Sequence, residues 1–247
     1  MGEVALAYVN AGSDVILTNT FGGSRFSLDR HEASDRVHEV NVEGARISRR
    51  AADSAKGREV RVFASMGPSG ILLMTGEVTE DELYEGFAQQ AAALKEGGAD
   101  AIVVETMSDP AEATLAIRAA KETGLPVVGS MTFDSGKNKD RTMMGTTPEQ
   151  AVAAMELAGA DAVGSNCGQG IDGFIAICQR YRAVTKLPIW MKGNAGLPEM
   201  VDGQTIYRIT PAQFAAKAKL LIDEGASFIG GCCGTTPEFI SELRVLL

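Results

Sequence analysis

No apolar run in the 247 residues approaches the length of about 20 needed to cross a membrane. Basic residues are in deficit, 23 Lys and Arg against 32 Asp and Glu, for a formal net charge of −9. No basic stripe is therefore available to neutralise phosphates, and a nucleic-acid partner is not expected. Histidine is scarce: His31 and His38 both fall in a charged helical stretch and read as solvated. No signal peptide is recognisable, so a cytoplasmic, reducing compartment is expected and disulfides are not. A doubly wound nucleotide-binding sheet would carry a glycine-rich phosphate turn after its first strand. GGSR at 22–25 is too weak to serve as one.

What the chain does contain is a repeat. Four segments share a helix end, then Gly with a small residue and usually Asp, then an apolar run. They are NAGSDVILTNT (10–20), EGGADAIVVET (96–106), LAGADAVGSNC (157–167) and DEGASFIGGCC (223–233). Glycine suits a left-handed helix end, and the apolar run suits a strand buried on both faces. Three further strand candidates lie between them: VRVFASM (60–66), PVVGSMTF (126–133) and PIWMKGN (188–194). Helical stretches such as 80–97 and 110–124 separate the neighbours, with start signals at Thr79 and at Thr210-Pro211. Strand and helix alternating with short connections means parallel βα units.

Seven strands are visible, and the first, DVILTNT, already follows a helical fragment, EVALAYVNAG. The expected fold is a (β/α)8 TIM-type barrel lacking its first strand, with residues 1–247 forming one N-terminally short domain. A chain of this length matches that fold, which typically takes about 250 residues. The missing strand would leave two unpaired edges, an aggregation-prone arrangement unless something covers them.

Active sites of such barrels lie at the carboxyl ends of the strands. Three of the four cysteines fall there: Cys167 in GSNCG, and Cys232 with Cys233 in GGCCGT. Three thiolates are a soft ligand set suited to zinc, and three rather than four leaves a position open for substrate. A buried free cysteine is more often plain core, and that reading applies to Cys178 within the helical GFIAICQRY. Polar residues gather at the same strand ends, among them Thr18, Ser65, Glu105, Asn166, Lys192 and Asn194. Caps and turns would put polar residues there in any barrel, so from the residues alone their roles stay open.

Several segments together resemble the zinc-dependent homocysteine S-methyltransferase family, and within it the homocysteine-binding modules of cobalamin-dependent methionine synthases. They are TNTFGGSR (18–25), MGPSG (66–70), VVETMSDPAEA (103–113), SMTFD (130–134), GSNCGQG (164–170), GNAGLPEMVDG (193–203) and GGCCGTTPE (230–238). The likeness runs nearly end to end but omits the family's Asp-Gly-rich opening strand. It implies that Cys167, Cys232 and Cys233 hold zinc, which binds the homocysteine sulfur as thiolate. No other catalytic group is then expected beyond that thiolate. The resemblance further implies that Glu105 holds the amino-acid head group, with Thr18, Ser65 and Asn194 as neighbouring substrate contacts. It also implies a methyl donor of the methylcobalamin or other methylcorrinoid type. No Asp-x-His-x-x-Gly corrinoid loop occurs in the chain, so the donor is expected on a separate protein or domain. Another thiol acceptor or methyl donor, a non-catalytic zinc-binding scaffold and a homo-oligomer remain open alternatives.

Overall fold

A computed structural model describes residues 1–246. Seven parallel strands form one sheet: β1 (Val15–Leu17), β2 (Arg61–Met66), β3 (Ala101–Met107), β4 (Val127–Met131), β5 (Ala162–Gly170), β6 (Ile189–Asn194) and, last in the chain, β9 (Phe228–Gly231). They stand side by side in chain order, the sheet ending at β1 on one side and β9 on the other. All seven coincide with the apolar runs anticipated above. A two-stranded hairpin, β7 (Glu199–Val201) and β8 (Gln204–Ile206), projects after β6 and was not anticipated. Its turn holds Asp202 and Gly203 at positive φ, 50° and 77°, which suits the Asp-Gly pair.

Helices fill the connections: α1 (Gly2–Asn10), α2 (Arg25–Asp29), α3 (Val37–Asp53), α4 (Glu80–Glu96), α5 (Pro110–Lys121), α6 (Pro148–Leu157), α7 (Ile171–Val184), α8 (Pro211–Asp223) and α9 (Pro237–Leu246). Their starts are chemically marked. Thr79, Thr147 and Thr210 each accept from the backbone N–H three residues on, while Glu82, Gln150 and Gln213 reciprocate. Residues 2–10 are helical, so no eighth strand forms from them. The result is a TIM-type barrel wall with one strand absent.

Side chains alternate along each strand between the helix layer and the barrel interior. The outward set builds the main core, including Ile102, Val104, Val127, Val163, Ile189 and Met191 against α4 to α8. The inward set has an aromatic floor, Phe63, Trp190 and Phe228, packed with Val103, Val128 and Ala162. The Phe63 and Trp190 rings stack at 5.9 Å, and Trp190 and Phe228 meet at 5.4 Å. Gly164 makes room for this floor: a Cβ there would lie 2.1 Å from the Trp190 carbonyl oxygen. Cys178 is fully buried on α7, as anticipated, and burial pushes its thiol up to about 11.

Candidate metal centre and substrate pocket

The period-two pattern that builds the floor also builds the site. Two residues beyond inward Phe63 comes Ser65, beyond Val103 comes Glu105, and beyond Trp190 come Lys192 and then Asn194. Four beyond Ala162 is Asn166, and four beyond Phe228 is Cys232. An apolar floor therefore passes upward into a polar mouth at the carboxyl ends of the strands.

Cys167, Cys232 and Cys233 meet at that mouth, with all three Sγ atoms within 4.8 Å of one another. The Sγ atoms of Cys167 and Cys233 are 3.9 Å apart. Two thiolates on one tetrahedral zinc, each at about 2.3 Å, would sit roughly 3.8 Å apart, so the spacing fits a shared ion. Cys167 reaches this position through a left-handed backbone, φ 61°, where β5 slips register against β6. Thr106, where β3 slips against β4, does the same at φ 62°. Such non-glycine residues in the left-handed region store strain at the site and re-aim the strand ends.

Cys233 is held by its backbone: its N–H donates to Asn194 Oδ1 at 3.0 Å, and its carbonyl accepts from Ala195 at 3.0 Å. The N–H of Cys232 donates to the Gly193 carbonyl at 2.8 Å. Asn194 Nδ2 donates to Gly168 O at 3.2 Å and faces Cys167 Sγ at 3.9 Å. Asn194 thus sits among the cysteines. Asn166 has the most connected amide: Oδ1 accepts from Thr106 N and Ser130 Oγ, while Nδ2 donates to Thr106 Oγ1 and faces Cys232 Sγ at 4.0 Å. It is fully buried and locks β3, β4 and β5 around the thiols. The hydrogen bond from Cys232 draws the Cys167 thiol below its ordinary range. Cys232 is pushed up by that same bond and by burial. Thiols pulled in opposite directions by one shared hydrogen bond are an arrangement that a bound cation would replace.

Glu105, 4% exposed, lies across the mouth with both oxygens engaged. Oε1 accepts from Ser65 Oγ, and Oε2 pairs with Lys192 Nζ at 2.6 Å. Strands β4 and β5 separate these partners in the sheet, so the pair spans the barrel mouth. Ser65 is fixed in turn: its N–H donates to Thr18 Oγ1 at 3.0 Å, and its carbonyl accepts from Thr20 Oγ1 at 2.7 Å. Thr18 and Thr20 thereby hold the Ser65 backbone in place. Sequence reasoning assigned no role to Lys192 or Asn166. The inward register of each was the available signal, and it was readable two and four residues from Trp190 and Ala162.

The family model described as homocysteine S-methyltransferase matches residues 1–247. The chain belongs to the homocysteine S-methyltransferase family. Methionine synthase of Mycobacterium tuberculosis (strain ATCC 25618 / H37Rv) is 31% identical over 245 residues, covering 96% of this chain and 20% of that protein. Methionine synthase of Mycobacterium leprae (strain TN) shows the same identity and coverage. The chain thus spans about a fifth of the length of the curated relatives it matches. Among solved structures, the homocysteine methyltransferase MmuM from Escherichia coli in its metallated form shares the fold. It superposes with a TM-score of 0.81 at 21% identity, over 100% of this chain and 84% of that one. Its apo form superposes at 0.76 and 22% identity, over 99% and 84%.

Proposed function

We propose that this barrel transfers a methyl group to the thiol of homocysteine, giving methionine, with zinc held by Cys167, Cys232 and Cys233. The observation that carries this reading is the convergence of three thiols, and no fourth protein ligand among the described residues, beside a buried carboxylate–ammonium pair. Zinc bound by three thiolates supplies Lewis acidity, which keeps an added thiol deprotonated near neutral pH.

The chain's own residues do the rest. Asn166 and Asn194 fix the cysteines against the strand ends, so the site changes little when substrate arrives. Homocysteine is a zwitterion at its head group, and Glu105 and Lys192 offer it one partner of each sign. The ammonium would exchange with Lys192 for Glu105, and the released Lys192 would meet the carboxylate. Ser65, held by Thr18 and Thr20, keeps the Glu105 carboxylate aimed throughout. The homocysteine sulfur then forms a bond to the methyl carbon as the donor–methyl bond breaks. The product thioether carries no ionisable proton and is a weak ligand, which favours release.

A methylcorrinoid on a separate protein or domain is the proposed donor. Exposed apolar residues lie in the connections that follow β1, β2, β4 and β6: Phe21, Met74, Met143, Leu197 and, on β7, Met200. Methionine-rich apolar surface of this kind suits an adaptable docking face. The test is anaerobic turnover of methylcobalamin with homocysteine, following corrinoid absorbance and methionine, with Cys232→Ser as control. Methionine from the parent protein and none from the variant supports the reading. Equal yields from both, or none from a zinc-loaded parent protein, would sink it.

A further inference from the structure

The strands of the β7–β8 hairpin are three residues long and mostly exposed, so burial of their own side chains does not account for them. What the hairpin delivers is Tyr207, the residue after β8, which is half-buried and packs with Ile209 against the main core. The chain is tied down just beyond it. Ile209 N–H donates to Ala195 O at 3.2 Å, and Ala195 N–H donates to Cys233 O at 3.0 Å. Tyr207 thus approaches the cysteines on a segment anchored, through Ala195, to the backbone of one of them.

The two adjacent thiols stand on a tight turn, Cys232 to Thr235. Thr235 N–H donates to Cys232 O at 3.2 Å, and Thr235 Oγ1 donates to the same carbonyl at 2.7 Å. Gly234, the third residue, has φ 79°, the value a type II turn requires there and glycine adopts freely. The Tyr207 ring lies directly on this glycine. A Cβ at position 234 would stand 2.2 Å from ring Cγ and 2.5 and 2.4 Å from Cδ1 and Cδ2. The near-equal distances to the two Cδ atoms place that point over the ring face. Among the three converging thiols Cys233 is the exposed one, and it immediately precedes the glycine under the ring.

We propose that Tyr207 is a positioning residue for the metal centre: its ring, seated on Gly234, keeps the Cys232–Thr235 turn closed so that two adjacent thiols face one ion. The inference rests on the zinc reading of the three cysteines. Successive side chains on extended backbone point to opposite faces, so Cys232 and Cys233 share an ion only while the turn is formed. Asn194 and Ala195 hold the peptide groups of Cys233. Gly234 has no side chain to be packed and the widest backbone freedom of any residue type, and the ring is what restricts it. The contact is made by ring carbons, so the phenol hydroxyl is dispensable to it.

Tyr207→Phe and Tyr207→Ala separate the ring from the hydroxyl. Zinc affinity, measured by competition with a chromophoric chelator, should fall about tenfold or more in Tyr207→Ala, the scale usual for losing a group that orients a ligand. Tyr207→Phe should keep the parent affinity. In the metal-free protein the Thr235 amide, whose hydrogen bond closes the turn, should exchange about tenfold or more faster in Tyr207→Ala. Amides of β3 and β4 should exchange as in the parent, because the change is confined to the turn. An unchanged Thr235 exchange or an unchanged zinc affinity in Tyr207→Ala overturns the proposal, as does Tyr207→Phe behaving like Tyr207→Ala. Faster exchange that extends to β3 and β4 also overturns it, since the ring would then serve the stability of the whole fold. The exchange measurement needs no metal. A parent protein that takes up no zinc would therefore count against the zinc reading, while Thr235 exchange still decides whether Tyr207 holds the turn.

Discussion

Replacing Lys192 by methionine removes one charge of a buried pair and keeps most of the side-chain volume. The Lys192 side chain is 11% exposed and that of Glu105 5%, with a Nζ–Oε2 distance of 2.6 Å. The variant leaves the carboxylate buried with Ser65 as its remaining partner. Breaking a buried pair by removing one member typically costs about 3–5 kcal/mol, because the survivor stays desolvated and uncompensated. The partial exposure of the Lys192 side chain, 11%, places the expected loss at the lower end, about 3 kcal/mol. Glu105→Gln in the Lys192→Met background removes the stranded charge and retains an acceptor for Ser65. The double variant should therefore regain at least half of the loss. Urea denaturation of the four proteins gives the coupling directly. Additivity of the two substitutions within about 0.5 kcal/mol would refute the argument, since it would mean the pair does not interact. A homocysteine KM unchanged in Lys192→Met would separately refute the head-group role proposed for it.

Asn166→Ala removes the amide that braces β3, β4 and β5 around the thiols. Zinc affinity, measured by competition with a chromophoric chelator, should fall about 10- to 100-fold, the usual effect of losing an outer-shell partner. Arg180 grips both oxygens of Glu149 at 2.6 Å and holds that carboxyl down to about 2. A depressed carboxyl contributes stability that is present above the unfolded value, about 4.3, and is lost as pH falls toward 2. Glu149→Gln should therefore flatten the pH dependence of unfolding in that window, and an unchanged profile would contradict the pairing.

All seven barrel strands and the three converging cysteines were legible in the sequence. Each strand is an apolar run after a glycine-marked helix end, and strand-end chemistry in a barrel is forced to one face. Contacts between side chains distant in the chain were less legible. Glu105 and Lys192 are 87 residues apart, and their meeting depends on curvature that carries β3 toward β6. Asn194 lies against Cys167 and the Cys233 backbone, contacts that its polar character did not reveal. Residue type alone cannot distinguish a group that touches substrate from one that braces a ligand. The β7–β8 hairpin carried its Asp-Gly turn signal openly at 202–203, but its strands are three residues each and exposed. Strands so short bury too little to leave an apolar pattern.

The most direct test of the central claim is zinc-edge X-ray absorption on the zinc-loaded protein, with and without homocysteine. The account predicts three sulfur neighbours from the protein and a fourth when homocysteine is added, at about 2.3 Å. A shell that already contains four sulfurs, or one unchanged by homocysteine, would contradict it and leave the cysteines a structural clasp.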